Sequence, residues 1–233
     1  MAESSSPYAF YAFYRLYSHF YRAPKLSLDT VNELLYQGKG LKPEFARCPL
    51  FVTWKKLDKN EYQLRGCIGT FAESKVEPCL DRYALISALQ DSRFAPMQSE
   101  ELPLLSCGCN LLSQFKTIYK SEGAGTTSKS TAGDIWDWEV GKHGIELKFR
   151  DPKTQKRMSA TFLPEVIPEQ GWDQRETFEN LIAKAGCWKY VEEVMEHWEK
   201  YFDEVIRYEG TKSEISWKEF ETKYADIIEE SSG

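Results

Sequence analysis

The sequence predicts an α+β fold, with helices and mostly antiparallel strands interspersed and no regular strand-helix-strand alternation of the doubly wound kind. Three observations predict it. Apolar residues recur at helical spacing near both ends, strand-like runs are joined in pairs by short polar turns, and 42% of the 233 residues are apolar, enough for a full core. At roughly 150 residues per domain, the length suits one large domain or two small, closely packed ones. We take residues 1–233 as a single domain with its core at about 7–225.

Between Pro7 and Tyr21, Phe10, Phe13, Tyr14, Tyr17, Phe20 and Tyr21 follow the i, i+3, i+4, i+7 spacing of an amphipathic helix. Leu28 to Tyr36 predicts a second, stopped by the glycines of QGKG. Pro49 to Leu57 reads as a strand, and Asp58-Lys59-Asn60 as a turn into an antiparallel partner running toward Leu64. Pro78 suits a first helical turn, and Leu80, Ala84, Leu85, Ala88 and Leu89 mark the buried face of a helix reaching about Gln90. Leu104 to Phe115 alternates as a strand with Leu105, Cys107, Cys109 and Leu111 on one side.

Ser121 to Asp134, rich in Gly, Ser and Thr, reads as a mobile surface loop. Ile145 to Phe149 and Met158 to Leu163, joined by DPKTQK, predict a hairpin. Asp173 and Glu176 form a capping box opening a helix that Gly186 is placed to end. Glu192 to Phe202 predicts one charged helix, Val205 to Tyr208 a short strand, and Ser216 with Glu219 a second capping box before a terminal helix. The tail from Glu229 to Gly233 is expected to fray.

Thirty basic and 36 acidic side chains leave a charge of −6, so no uniform positive field exists to hold nucleic acid or an anionic membrane. The uncharged stretch Leu102 to Phe115, 14 residues, is too short for the ~20 of a membrane span. The start, MAESSSPYAF, lacks the basic leader and smooth apolar segment of a secretion signal. We therefore expect a protein of the cytoplasm, and also of the nucleus. Six dispersed cysteines fit that compartment as free thiols, and Cys107 and Cys109 read as two small buried hydrophobes.

In LRGCIGTF (Leu64 to Phe71), Gly66 and Gly69 bracket Cys67, and Arg65 stands two residues before it. Glycines permit a turn whose N–H groups converge on an anion, with Arg65 as a charge-assisted clamp that also favours the Cys67 thiolate. The plainer alternative is a β-bulge with a buried Cys. His143, between Gly141 and Gly144, is a possible acid or base near neutral pH, or equally a residue that holds its turn. In DSRFAPM, Asp91 reads as a loop anchor and Arg93 as open to a ligand. Glu165, after Pro164, is available as a site carboxylate. Three dispersed histidines give no metal-ligand spacing, and no cofactor is assigned.

Six segments together, LFVTWK (Leu50 to Lys55), LRGCIGTF, DSRFAPM, ELPLL (Glu101 to Leu105), WEVGKHGIELKF (Trp138 to Phe149) and FLPEVIPEQGWD (Phe162 to Asp173), resemble the AMMECR domain family over roughly residues 7–225. The resemblance implies one α+β domain of two unequal lobes around a mostly antiparallel sheet with flanking helices, and no established activity. It makes Arg65, Gly66, Cys67 and Gly69 the family's signature and places His143 and Glu165 in its other signature segments. In prokaryotes the domain is associated with Memo-like and radical-SAM-like proteins, which is association and not mechanism.

The expectation is an intracellular enzyme or enzyme component in which Cys67 is the nucleophile or redox thiol and His143 the acid or base. Arg65, Gly66, Gly69, Arg93 and Glu165 would bind an anionic small molecule. The alternative is a non-catalytic module that binds a ligand or a partner protein. Neither reading involves nucleic acid or a membrane.

Overall fold

The computed structural model describes residues 5–121 and 132–230, with the backbone alone at 132 and 230. The predicted surface loop falls largely, and the end of the predicted frayed tail wholly, outside the described residues. The chain divides into two compact units, residues 1–113 with 211–233, and residues 114–210. Each has its own apolar core.

In the first unit, Ser6 caps helix α1 (Pro7–Phe20) by accepting a hydrogen bond from the Ala9 N–H at 3.2 Å. The aromatic stripe read from its spacing is core, with Phe13 stacked on Phe220 at 4.6 Å and edge-on to Trp54 at 5.3 Å. Helix α2 (Leu28–Tyr36) follows, capped by Ser27. Strands β1 (Arg47–Asp58) and β2 (Glu61–Lys75) form a hairpin whose turn residues Lys59 and Asn60 both have positive φ, the twist a two-residue connection favours. Helix α3 (Val76–Leu89) packs on both strands, and the Trp54 indole N–H donates to Ala84 O and Ser87 Oγ within it. Strand β3 (Leu105–Lys120) is the partner the sequence leaves unnamed: it runs antiparallel to β1, Val52 opposite Cys109.

The second unit takes the remainder of β3, the two-residue β4 (Ala132–Gly133), and the predicted hairpin of β5 (His143–Arg150) and β6 (Arg157–Phe162). Helix α4 (Val166–Glu169) precedes α5 (Gln174–Ile182), whose capping box is formed as predicted, Glu176 N–H to Asp173 at 2.8 Å and Asp173 N–H to Glu176 at 2.9 Å. Gly186 stands at φ 99° beyond its end.

Two expectations change. The single charged helix is interrupted at His197, whose φ of −124° and ψ of 36° are not helical, giving α6 (Val191–Glu196) and α7 (Trp198–Tyr201), and it stops at Tyr201 because Phe202 pairs with Phe149 and already belongs to a strand. That strand, β7 (Phe202–Ser216), is far longer than Val205 to Tyr208 and continues into the first unit, ending at α8 (Trp217–Glu230). At the start of α8, Ser216 Oγ accepts the Glu219 N–H at 3.3 Å, while the Glu219 carboxylate takes the Ser5 hydroxyl. All the pairings above are antiparallel, and the class is α+β.

Candidate functional site

The LRGCIGTF segment is not a turn. It lies within β2, and neither Gly66 nor Gly69 has positive φ, so the anion-binding nest expected from the glycines is absent. They are glycines because backbone crowds them. A Cβ on Gly66 would stand 2.2 Å from Ser87 O of α3, and one on Gly69 2.2 Å from Leu50 O of β1. The bulge of the plainer alternative is present but its buried Cys is not, since Cys67 is half-buried: Trp54 pairs with Gly66 and Lys55 with Leu64, leaving Arg65 as the extra residue. A bulge re-aims the side chain it carries.

Strand β2 is the end strand of its sheet, so its outer N–H and C=O groups need partners from elsewhere. At Cys67 the DSRFAPM segment supplies them. The Cys67 N–H donates to Asp91 Oδ2 at 2.9 Å, and Arg93 Nη2 donates to the Cys67 carbonyl at 3.2 Å. Asp91 and Arg93 are tied to each other by a two-pronged pair at 2.7 and 2.9 Å. The Arg93 guanidinium, then the Cys67 and Arg93 amides, hold the buried Asp91 carboxyl well below the usual carboxylate range against its burial. Asp91 is thus an anchor, as expected, and Arg93 is half of a clamp.

Arg65 is also engaged. Its Nε and Nη2 each donate to Glu101 at 3.0 Å, and Lys56 Nζ reaches the same carboxylate at 2.8 Å. Burial alone would raise the Glu101 pKa, but the bonds from Arg65, Lys56 and the Gln98 amide outweigh it and bring it down to about 2. Two cations share one carboxylate, which leaves a local surplus of positive charge, and among the described residues Arg65 Nη1 is buried with no hydrogen-bond partner. Both guanidiniums flank the Phe94 ring, Arg65 at 5.9 Å and Arg93 at 5.4 Å.

The Cys67 sulfur lies 3.1 Å from Thr53 Oγ1, directly across the strand pair. It is half-buried, whereas the other five thiols are buried. Burial pushes the thiols of Cys48, Cys79, Cys107 and Cys187 up, Cys48 to about 12 and Cys187 to about 11. Arg65, Gly66, Cys67, Gly69 and Arg93 therefore belong to the first unit, with Cys67 at the centre of the clamp.

His143 and Glu165 belong to the second unit. His143 is buried, its Nδ1 accepts the Glu139 N–H at 2.9 Å, and its Nε2 lies 3.6 Å from the Glu209 carboxylate. Burial, then the Arg207 and Lys142 charges, lower its pKa. The ring holds the Glu139–His143 turn, the second of the two roles its sequence context allows. Glu165 is half-buried at the start of α4, and its charge helps raise the Tyr208 phenol. Sequence reasoning missed Glu101, Lys56 and Thr53 as site residues. The one available signal for Glu101 was its place in ELPLL.

A family model described as AMMECR1 matches residues 10–213. The chain belongs to the AMMECR1 family. It is 77% identical over 227 residues to an uncharacterised protein of Kluyveromyces lactis, covering 97% of this chain and 98% of that one. To an uncharacterised protein of Saccharomyces cerevisiae it is 49% identical over 241 aligned residues, covering 97% and 91%. A crystal structure of an uncharacterised protein from Pyrococcus horikoshii matches 91% of this chain and 93% of its own with a TM-score of 0.52 and 22% identity, a likeness of fold alone. Among the described residues of this AMMECR1-family protein, no helix is long and apolar enough to cross a membrane. Nor, among them, does any group of three His, Cys, Asp or Glu side chains converge as metal ligands.

Proposed function

We propose that this AMMECR1-family protein is an enzyme or enzyme component of the cytoplasm whose chemistry is carried by the Cys67 thiol, acting on a small anionic molecule. One observation carries the reading: of six thiols, the one that is not buried is the one whose backbone is held on both sides by charge-assisted hydrogen bonds. Such support fixes a nucleophile's direction, and the Arg93 guanidinium that holds the Cys67 carbonyl is a cation close to it. The reading does not need His143, whose Nδ1 holds its own turn.

Iodoacetamide labelling of the folded protein, followed peptide by peptide against pH, tests this. Cys67 is expected to react first, with the other five thiols protected; full protection of Cys67 would refute it. A second reading, a module that binds a ligand or partner protein without catalysis, draws support from Arg65 and Arg93 already being paired with the protein's own carboxylates. A Cys67→Ser chain that retains its whole cellular role would decide for that reading.

A further inference from the structure

The second unit carries a cleft of about 450 Å³ at its sheet, within the size range of small-molecule sites. We propose that this cleft binds the phosphate group of a small phosphorylated molecule. The site is independent of the reading of Cys67.

Four cationic side chains line it, Lys120, Lys148, Arg150 and Arg157, against two carboxylates, Asp203 and Glu204. Among the described residues the lining carries a surplus of two positive charges, and counting Glu146, 3.8 Å from Lys148, still leaves one, in a protein whose net charge is −6. Lys148 and Arg150 lie on one face of β5, and the residues between and before them, Phe149 and Leu147, point into the core. The cationic face is therefore the outward one.

Among the described residues the pairing within the cleft is incomplete. Lys148 is held by Glu204 at 2.8 Å and lies 3.8 Å from Glu146. Arg150 and Arg157, however, are direct cross-strand partners of β5 and β6. Like charges placed so cost stability. One carboxylate serves both, Asp203 at 3.0 Å from Arg150 Nε and 3.9 Å from Arg157 Nε. The Arg157 side chain is 83% exposed, so its ion pair contributes little to folding. Two opposed guanidiniums fit the oxygens of a phosphate, and a monoester near neutral pH carries a charge of about −1.5 to −2, opposite in sign to the surplus.

The test uses the full chain and inorganic phosphate as probe, with chloride at matched ionic strength as control. Saturable amide shifts in the NMR spectrum are expected at Lys148 to Arg150 and Arg157 to Ser159, with Kd on the order of 1 mM. Arg150→Gln and Arg157→Thr should each weaken binding about tenfold or more. Without phosphate, Arg157→Thr should melt at the same temperature as the unchanged protein or higher, since it removes a like-charge opposition. Shifts that chloride reproduces, binding unaltered in both variants, or a marked fall in the Arg157→Thr melting temperature would each overturn the proposal. So would tighter binding of a short single-stranded DNA with a steep salt dependence, which would mark a nucleic-acid surface.

Discussion

Replacing Glu101 by Gln tests the electrostatics under the LRGCIG segment most directly. The carboxylate is 15% exposed and accepts from Arg65 twice and from Lys56 once. Its pKa stands at about 2 where an unperturbed one is 4.5. At about 1.4 kcal/mol for each tenfold in proton affinity, that difference corresponds to about 3 kcal/mol of stability at neutral pH. Because the folded value is the lower one, the stabilisation is complete above the unfolded pKa and is lost as pH falls from about 4.5 toward 2. Urea denaturation at pH 7 should therefore separate Glu101→Gln from the unchanged protein by about 3 kcal/mol, roughly 1 M in midpoint. Near pH 3 the gap should shrink to less than about half. A gap equal at the two pH values, or below about 1 kcal/mol at pH 7, would refute the assignment.

Asp91→Asn should cost about 2 to 3 kcal/mol and speed hydrogen exchange at the Cys67 amide, because the N–H would lose its ionised acceptor; unchanged exchange at that amide would remove the clamp. Gly66→Ala places a Cβ 2.2 Å from Ser87 O, so β2 must shift away from α3. The expected loss is about 2 kcal/mol or more in the same denaturation assay, and a neutral outcome would mean the contact is not as close as described. The His143 ring should titrate below 6.5 by NMR, since burial disfavours its charged form. Its folded pKa being the lower, it favours folding above the unfolded value of 6.5 and that contribution is lost as pH falls through the folded one, so His143→Gln should flatten the stability profile below pH 6.5. A ring titrating above 6.5 would contradict the burial.

Much of the fold was legible wherever the information is local. The aromatic spacing of α1, the Asp58-Lys59-Asn60 turn and the Asp173 capping box each depend on residues within a few positions of one another, and each forms. The failures are non-local. The glycines of LRGCIG read as a turn because isolated glycines weaken a strand, yet here distant backbone requires them, the Ser87 carbonyl at Gly66 and the Leu50 carbonyl at Gly69. Only part of β7 was visible, since Glu209, Gly210 and Lys212 are poor strand formers, yet the strand runs through them to Ser216. At the site, the Asp91–Arg93 pair could be seen in the sequence but its target could not, and the Arg65–Glu101 pair spans 36 positions.

Closing a sheet edge does not by itself require what stands at Cys67. An outer strand can be protected by a lysine, a proline or an apolar cover, with no demand on the direction of any one side chain. Here an ionised pair grips both the donor and the acceptor of a single residue, a bulge turns the guanidinium just before it toward Glu101, and a glycine between the two lets α3 approach. Edge protection accounts for the Asp91–Arg93 clamp, and packing accounts for Gly66. Neither accounts for the sulfur, which would be better stabilised buried like the other five and is instead left half-open beside the Thr53 hydroxyl. It is that unburied sulfur, more than the charged residues around it, on which a chemical role for the segment depends.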